Sequence, residues 1–196
     1  MDSDGPGLHG YLSRPEAVEY EPYGPVGPDE ADDLARQRAA DQRFWAVQTA
    51  AETLVGNLYL APSGPEWWQS WELGYVFHPY HWGQGYATEA CQALLDAVFD
   101  DGAHRVVAHC DPANLRSWAL LERLGMRREG HSLRAAAFVR DPSGRPLAGD
   151  PSGRPLARRV HLCAARRGVA REAVTAPGAL TRPGDRPASR GSAGCA

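Results

Sequence analysis

A mixed α+β fold, with strands and helices alternating around one sheet, is predicted by three observations. Residues Ser70–Phe77 alternate with period two, which places Trp71, Leu73, Tyr75 and Phe77 on one face of a strand. Two glycines follow in Trp82-Gly83-Gln84-Gly85-Tyr86, and directly after them Cys91, Leu94, Leu95, Val98 and Phe99 recur at helical spacing. Further on, His104–Cys110 carries the continuous apolar run Val106-Val107-Ala108 of a buried strand, and a second helical pattern comes after it.

The remaining elements follow in order. The stretch to about Pro28 is rich in Gly and Pro and holds a short helix near Leu8–Leu12. Pro28-Asp29-Glu30 opens a polar helix through about Asp41, with acids in the first turn where the helix dipole favours them. Arg43–Thr49 and Thr53–Leu60 read as a hairpin turning at Ala50-Ala51-Glu52. After the strand Ser70–Phe77 comes the helix Ala87–Asp100, then the strand His104–Cys110. Asn114 is placed to cap a helix that ends at Gly125, a residue suited to the left-handed position past a helix terminus. Arg128–Arg140 and Val160–Ala164 read as the last strands. Residues 165–196, rich in Pro, Gly, Arg and Ser, read as a disordered tail behind one domain spanning residues 1–164.

Composition narrows the function. At 196 residues the chain holds one domain with a substantial core. All 21 basic residues are arginine, and the net charge is −3. Eight of those arginines lie in Arg158–Ala196 beside only Glu172 and Asp185, so the main body has 13 Arg against 22 acids, a balance of −9. An acidic body gives no reason to expect nucleic acid. Cys91, Cys110, Cys163 and Cys195 show neither metal-ligand nor disulfide spacing, which suits a reducing cytoplasm and implies no metal. With no leader and no bilayer-length apolar run, no membrane association is expected.

The strand–glycine turn–helix unit has the chemistry of a phosphate cradle. Consecutive backbone N–H groups can point at one anion, and the helix N-terminus adds partial positive charge. Gly83 and Gly85 allow backbone conformations and a close approach that a Cβ would hinder. The unit is not a P-loop, because no Gly-Lys-Ser/Thr follows. It fails the dinucleotide fingerprint as well, in spacing and in lacking an acid placed for the ribose.

Trp82-Gly83-Gln84-Gly85-Tyr86-Ala87 resembles motif A of the GNAT superfamily of acyl-CoA-dependent N-acyltransferases, roughly Gln/Arg-x-x-Gly-x-Gly/Ala. Trp82 stands where many members carry Gln or Arg, and with Gly-x-Gly-Tyr-Ala-Thr-Glu-Ala the segment is similar to the subgroup that acetylates ribosomal-protein N-termini. Asp111-Pro112-Ala113-Asn114-Leu115-Arg116-Ser117, closing in Arg123-Leu124-Gly125-Met126, resembles the family's Asn-x-x-Ser helix. The likeness covers about Tyr11 to Ala164 and is densest from Phe44 to Gly130.

The resemblance implies an α/β/α sandwich whose mixed central sheet splays at the acyl-CoA site. It also implies acetyl transfer from acetyl-CoA to a primary amine (a protein N-terminus, an amino acid or a small molecule) by direct attack in a ternary complex. In this pattern the N–H groups of Trp82, Gly83, Gln84, Gly85, Tyr86, Ala87 and Thr88 hold the pyrophosphate. Tyr75, Val76 and Phe77 hold the pantetheine arm through their backbone, with Asn114 beside it. Glu72, on the face opposite Trp71 and Leu73, is the expected general base, usually through water, with His78 and His109 as fallbacks. Ser117 is the expected donor to the departing thiolate. Its other reading is first-turn helix chemistry, in which serine bonds the backbone. Trp67, Trp68 and Trp71 are candidates for lining an acceptor pocket. The partners are acetyl-CoA and an amine, and the chain is a monomer or homodimer.

Three departures stand out. The family's first strand has scarcely any sequence to form it, so a full first strand is expected to be lacking. Leu121 occupies the position where many members carry a tyrosine general acid. Asp-Pro-Ser-Gly-Arg-Pro-Leu-Ala occurs twice in tandem, from Asp141 and from Asp150, and after Ala164 the family's ending is replaced, as a reading-frame shift there would produce. The alternative these departures favour is a GNAT-fold acyl-CoA-binding protein with impaired or no activity.

Overall fold

The computed structural model describes residues 4–137, 157–166 and 180–181. Its first helices are α1 (Gly5–Leu12), α2 (Pro15–Val18) and α3 (Pro28–Ala40), each with a proline in its first two positions, where the missing N–H costs nothing. Helix α2 was not expected. It is a single turn between α1 and the loop leading to α3, anchored by Val18, which is fully buried.

The hairpin strands are β1 (Phe44–Gln48) and β2 (Leu54–Pro62), and a 3-10 turn at Glu66–Trp68 leads into β3 (Ser70–Phe77). A second 3-10 turn, Pro79–His81, precedes α4 (Tyr86–Asp100). Then come β4 (Arg105–Cys110), α5 (Leu115–Arg123), β5 (Arg127–Ala137), β6 (Ala157–Arg166) and the two-residue β7 (Leu180–Thr181). Asn114 caps α5 as expected, its side chain accepting from Ser117 N–H at 3.0 Å, and Gly125 takes φ 72° just past the helix end.

These strands form one mixed sheet in the order β5-β6-β4-β3-β2-β1-β7, in which only β3 and β4 run parallel. Helices cover both faces, which gives the expected sandwich. On one face Leu73, Phe77, Val106 and Ala108 pack with Leu94, Leu95 and Val98 of α4 and Trp118 and Leu121 of α5. On the other, Val76 packs with Leu8, Tyr11 and Leu12 of α1 and Ala31 and Ala35 of α3. Alternation along β3 thus divides the strand between two cores, as its sequence implied.

The strand limits depart from expectation at the end of the chain. β6 extends from Ala157 to Arg166, beyond the expected Val160–Ala164, because it is hydrogen-bonded on both edges: to β5 from Ala157 to Ala164 and to β4 from His161 to Arg166. Leu180–Thr181 pairs with Ala46 and Val47 at the outer edge of β1. Among the described residues no strand precedes α1. The tandem Asp-Pro-Ser-Gly-Arg-Pro-Leu-Ala copies, apart from Ala157, and the expected tail, apart from Ala165, Arg166, Leu180 and Thr181, lie outside the described residues, as do residues 138–140.

Candidate active site

The glycine turn is held from its own side chains outward. Trp82 Nε1 donates to the Phe77 carbonyl at 3.0 Å, and Gln84 Nε2 to the Tyr80 carbonyl at 2.8 Å, so the loop folds back on the end of β3. Gly83 and Gly85 adopt φ 74° and 92°, and Gly85 is the N-cap residue immediately before α4. No heavy atom lies within 4 Å of where a Cβ would stand on either, so positive φ, not crowding, requires glycine there. Among the described residues, none of the backbone N–H groups from Gly83 to Thr88 donates a hydrogen bond. The turn therefore presents a run of amide donors beneath open space at a helix N-terminus.

Beside it the sheet opens. Parallel pairing of β3 with β4 covers Ser70↔Arg105 to Leu73↔Ala108 and stops there, although the strands run on to Phe77 and Cys110. His78 N–H donates to the Val55 carbonyl on the β2 side, while the Phe77 carbonyl faces the other way, toward Trp82. By strand alternation the amides of Tyr75 and Phe77 face the opening, whereas that of Val76 faces β2. Opposite them stands the first turn of α5. The Tyr75 phenol lies 2.6 Å from Ser117 Oγ, bridging β3 to the helix that follows β4. Ser117 is buried, and its position is fixed by the Asn114 cap.

Glu72 projects from the other face of β3, where His109 Nδ1 lies 3.1 Å from its Oε1. The hydrogen bond from His109 holds the Glu72 carboxyl below the usual carboxylate range, against the opposing effect of partial burial. Sequence reasoning kept Glu72 and His109 as rival bases, and the fold brings them together. His78 is held elsewhere. Its Nδ1 accepts from Tyr80 N–H, its ring packs on Tyr11, Tyr80 and His81, and burial together with the positive charges of Arg14 and His81 lowers its basicity. Trp67 and Trp68 are exposed in the 3-10 turn at the end of β3 away from the glycine turn, while Trp71 packs on the main core. Leu121 is fully buried in that core.

Two side chains escaped sequence reasoning. Strand alternation places the Tyr75 side chain in the core, and nothing local in the chain marks its phenol as reaching Ser117. Arg116 was read only as part of a helix start, yet its guanidinium stacks at 4.3 Å over the Trp82 ring, at the edge of the glycine turn. The signal for Arg116 is present in the sequence: an aromatic residue where Gln or Arg is usual, and an unassigned arginine two residues after Asn114 in the second motif. At the far side of the turn, Thr88 Oγ1 accepts from Arg123, which ties α4 to α5.

Comparison with known proteins gives a consistent result. The family model described as an acetyltransferase (GNAT) domain matches residues 1–127. An uncharacterised N-acetyltransferase, YnaD of Bacillus subtilis (strain 168), is 30% identical over 130 residues, which are 65% of this chain and 75% of that protein. Among solved structures, a GNAT-family acetyltransferase from Bacillus anthracis superposes with a TM-score of 0.70 at 26% identity, over 85% of this chain and 90% of that one. The spermidine N-acetyltransferase of Vibrio cholerae, solved with CoA and spermine, has a similar fold, with a TM-score of 0.64 at 20% identity over 86% and 93% of the two chains.

Proposed function

Because this chain belongs to the GNAT acetyltransferase family, we propose that it moves an acetyl group from acetyl-CoA to a primary amine of a protein N-terminus, an amino acid or a small molecule, by direct attack in a ternary complex. The observation that carries this is the run of undonated amides from Gly83 to Thr88, set beside the point where β3 and β4 part. A diphosphate needs such a donor row, and an extended amide-bearing arm needs an open strand edge to pair with. The residues present fit the donor on both counts.

In this reading Trp82 and Gln84 brace the turn, and Gly83, Gly85, Tyr86, Ala87 and Thr88 offer backbone donors to the pyrophosphate. Arg116, stacked on Trp82, brings a positive charge to the position where other members carry Gln or Arg. Tyr75 and Phe77 pair with the pantetheine arm, and Val76 supports them from the β2 side. Asn114 orients the first turn of α5. The acceptor amine approaches from the Glu72 face, opposite the α4–α5 face along which the donor lies. Glu72, oriented by His109, takes the proton the amine must lose, through water. Ser117 donates to the departing thiolate from the far side of the opening.

Calorimetric titration with acetyl-CoA and with CoA, followed by thiol-release assays on amino-acid amides, short peptides and polyamines, tests the proposal. Stoichiometric binding and release of CoA with at least one amine class is expected. Binding without turnover on any of them would favour an acyl-CoA-binding protein instead, and a folded chain that binds neither ligand would overturn both readings.

A further inference from the structure

Resting on that reading, we infer that the Tyr75 phenol is the proton source for the leaving thiolate, acting through the hydroxyl of Ser117. The family's usual tyrosine position is Leu121, which is fully buried in the core and offers no acid. A phenol nevertheless reaches the same helix from the other side of the opening. Tyr75, on β3, lies 2.6 Å from Ser117 Oγ, and its ring is held beside Phe77 with centroids 6.4 Å apart.

The chemistry favours the pair over the serine alone. A serine hydroxyl is a far weaker acid than a thiol, so it can donate a hydrogen bond to a thiolate but cannot give up its proton without replacement. Phenols and thiols are close in acidity, at roughly 10 and 8.5. A phenol donating to Ser117 Oγ leaves the serine proton for a second acceptor. As the amine nitrogen forms the new C–N bond, the C–S bond breaks and its electron pair leaves on sulfur. Ser117 passes its proton to the sulfur and takes the phenol proton in return, so the charge comes to rest on the Tyr75 oxygen. Solvent then reprotonates Tyr75, and the proton lost by the amine leaves through Glu72. The products are the acetylated amine and CoA thiol, and the residues end as they began.

Tyr75→Phe keeps the ring and removes the proton. Its kcat should fall roughly 10- to 100-fold, with the KM for acetyl-CoA changed less than about threefold and CoA binding retained. The wild type should lose rate on the alkaline side, and the variant should not. Combining Tyr75→Phe with Ser117→Ala should cost little more than the worse single change, because the two act as one unit. A second measurement needs no acceptor: ultraviolet titration of the CoA thiol in its complex with the protein. Loss of either hydroxyl should move the bound thiol's midpoint upward, since both support the thiolate. An unchanged kcat and alkaline limb in Tyr75→Phe, or a thiol midpoint that neither variant moves, would overturn the inference while leaving the acetyltransferase reading intact. Failure of the wild-type chain to bind CoA would instead strike that reading itself.

Discussion

His109 Nδ1 and Glu72 Oε1 stand 3.1 Å apart across the parallel pair β4 and β3, on the face of the sheet turned away from α4 and α5. The ring donates and the carboxylate accepts, so Glu72 is both ionised and aimed. Glu72→Gln should lower kcat by about 10²-fold and leave CoA affinity unchanged. His109→Ala should raise the Glu72 titration midpoint toward the ordinary carboxylate range, read by NMR of the labelled carboxyl. The sign for stability follows. A carboxyl whose native pKa lies below its unfolded value contributes stability above the unfolded pKa and loses it as pH falls through the native one. Denaturation curves should therefore show a smaller acid-side loss in His109→Ala than in the wild type.

Arg116 over Trp82 predicts a phosphate-directed effect. Arg116→Gln should weaken CoA binding roughly 3- to 10-fold and flatten its salt dependence, with pantetheine binding unaffected. An equal loss for CoA and pantetheine would remove Arg116 from the phosphate site.

The glycine turn separates conformation from space. Gly85→Ala meets no heavy atom within 4 Å but must hold φ near 92°, at a cost of about 1–2 kcal/mol. That should lower Tm by roughly 2–8 °C and reduce CoA affinity sharply. Gly10→Ala, equally uncrowded but inside α1, should stabilise by up to about 1 kcal/mol and leave binding alone.

On the α1–α3 side, burial pushes the Glu21 carboxyl up to about 7, against the opposing charge of Arg38 and a hydrogen bond with Tyr23. A raised native pKa binds the proton more tightly in the folded state. Its stabilisation is complete below the unfolded value and lost as pH rises through 7. Glu21→Gln should flatten the stability–pH curve between about 4.5 and 7 and stabilise the chain at pH 8 by on the order of 1–3 kcal/mol. Urea denaturation across that range measures it.

Much of the fold is legible in the chain because its signals are local. Period-two alternation in Ser70–Phe77, the apolar spacing of α4, the Asn114 cap and the positive-φ glycines each depend on a few neighbouring residues. The family motifs lie in those same segments, which is why the glycine turn and the Ser117 helix are legible together. The end of the chain was harder to read. The reach of β6 to Arg166 and the pairing of Leu180–Thr181 with β1 come from hydrogen-bond ladders to distant strands, against an arginine-rich local composition.

By itself, then, the sequence determined the order of elements from α3 to β6, the split of β3 between two faces and the glycine turn that opens α4. Tertiary structure alone decided which side chains meet: Glu72 with His109, 37 residues on, and Tyr75 with Ser117, 42 residues on. The reason is that both pairs span the place where β3 and β4 run parallel and then part. A parallel pair is joined only through a long crossover, so no local pattern records its register, and no local pattern records which polar tips that register brings within hydrogen-bond reach.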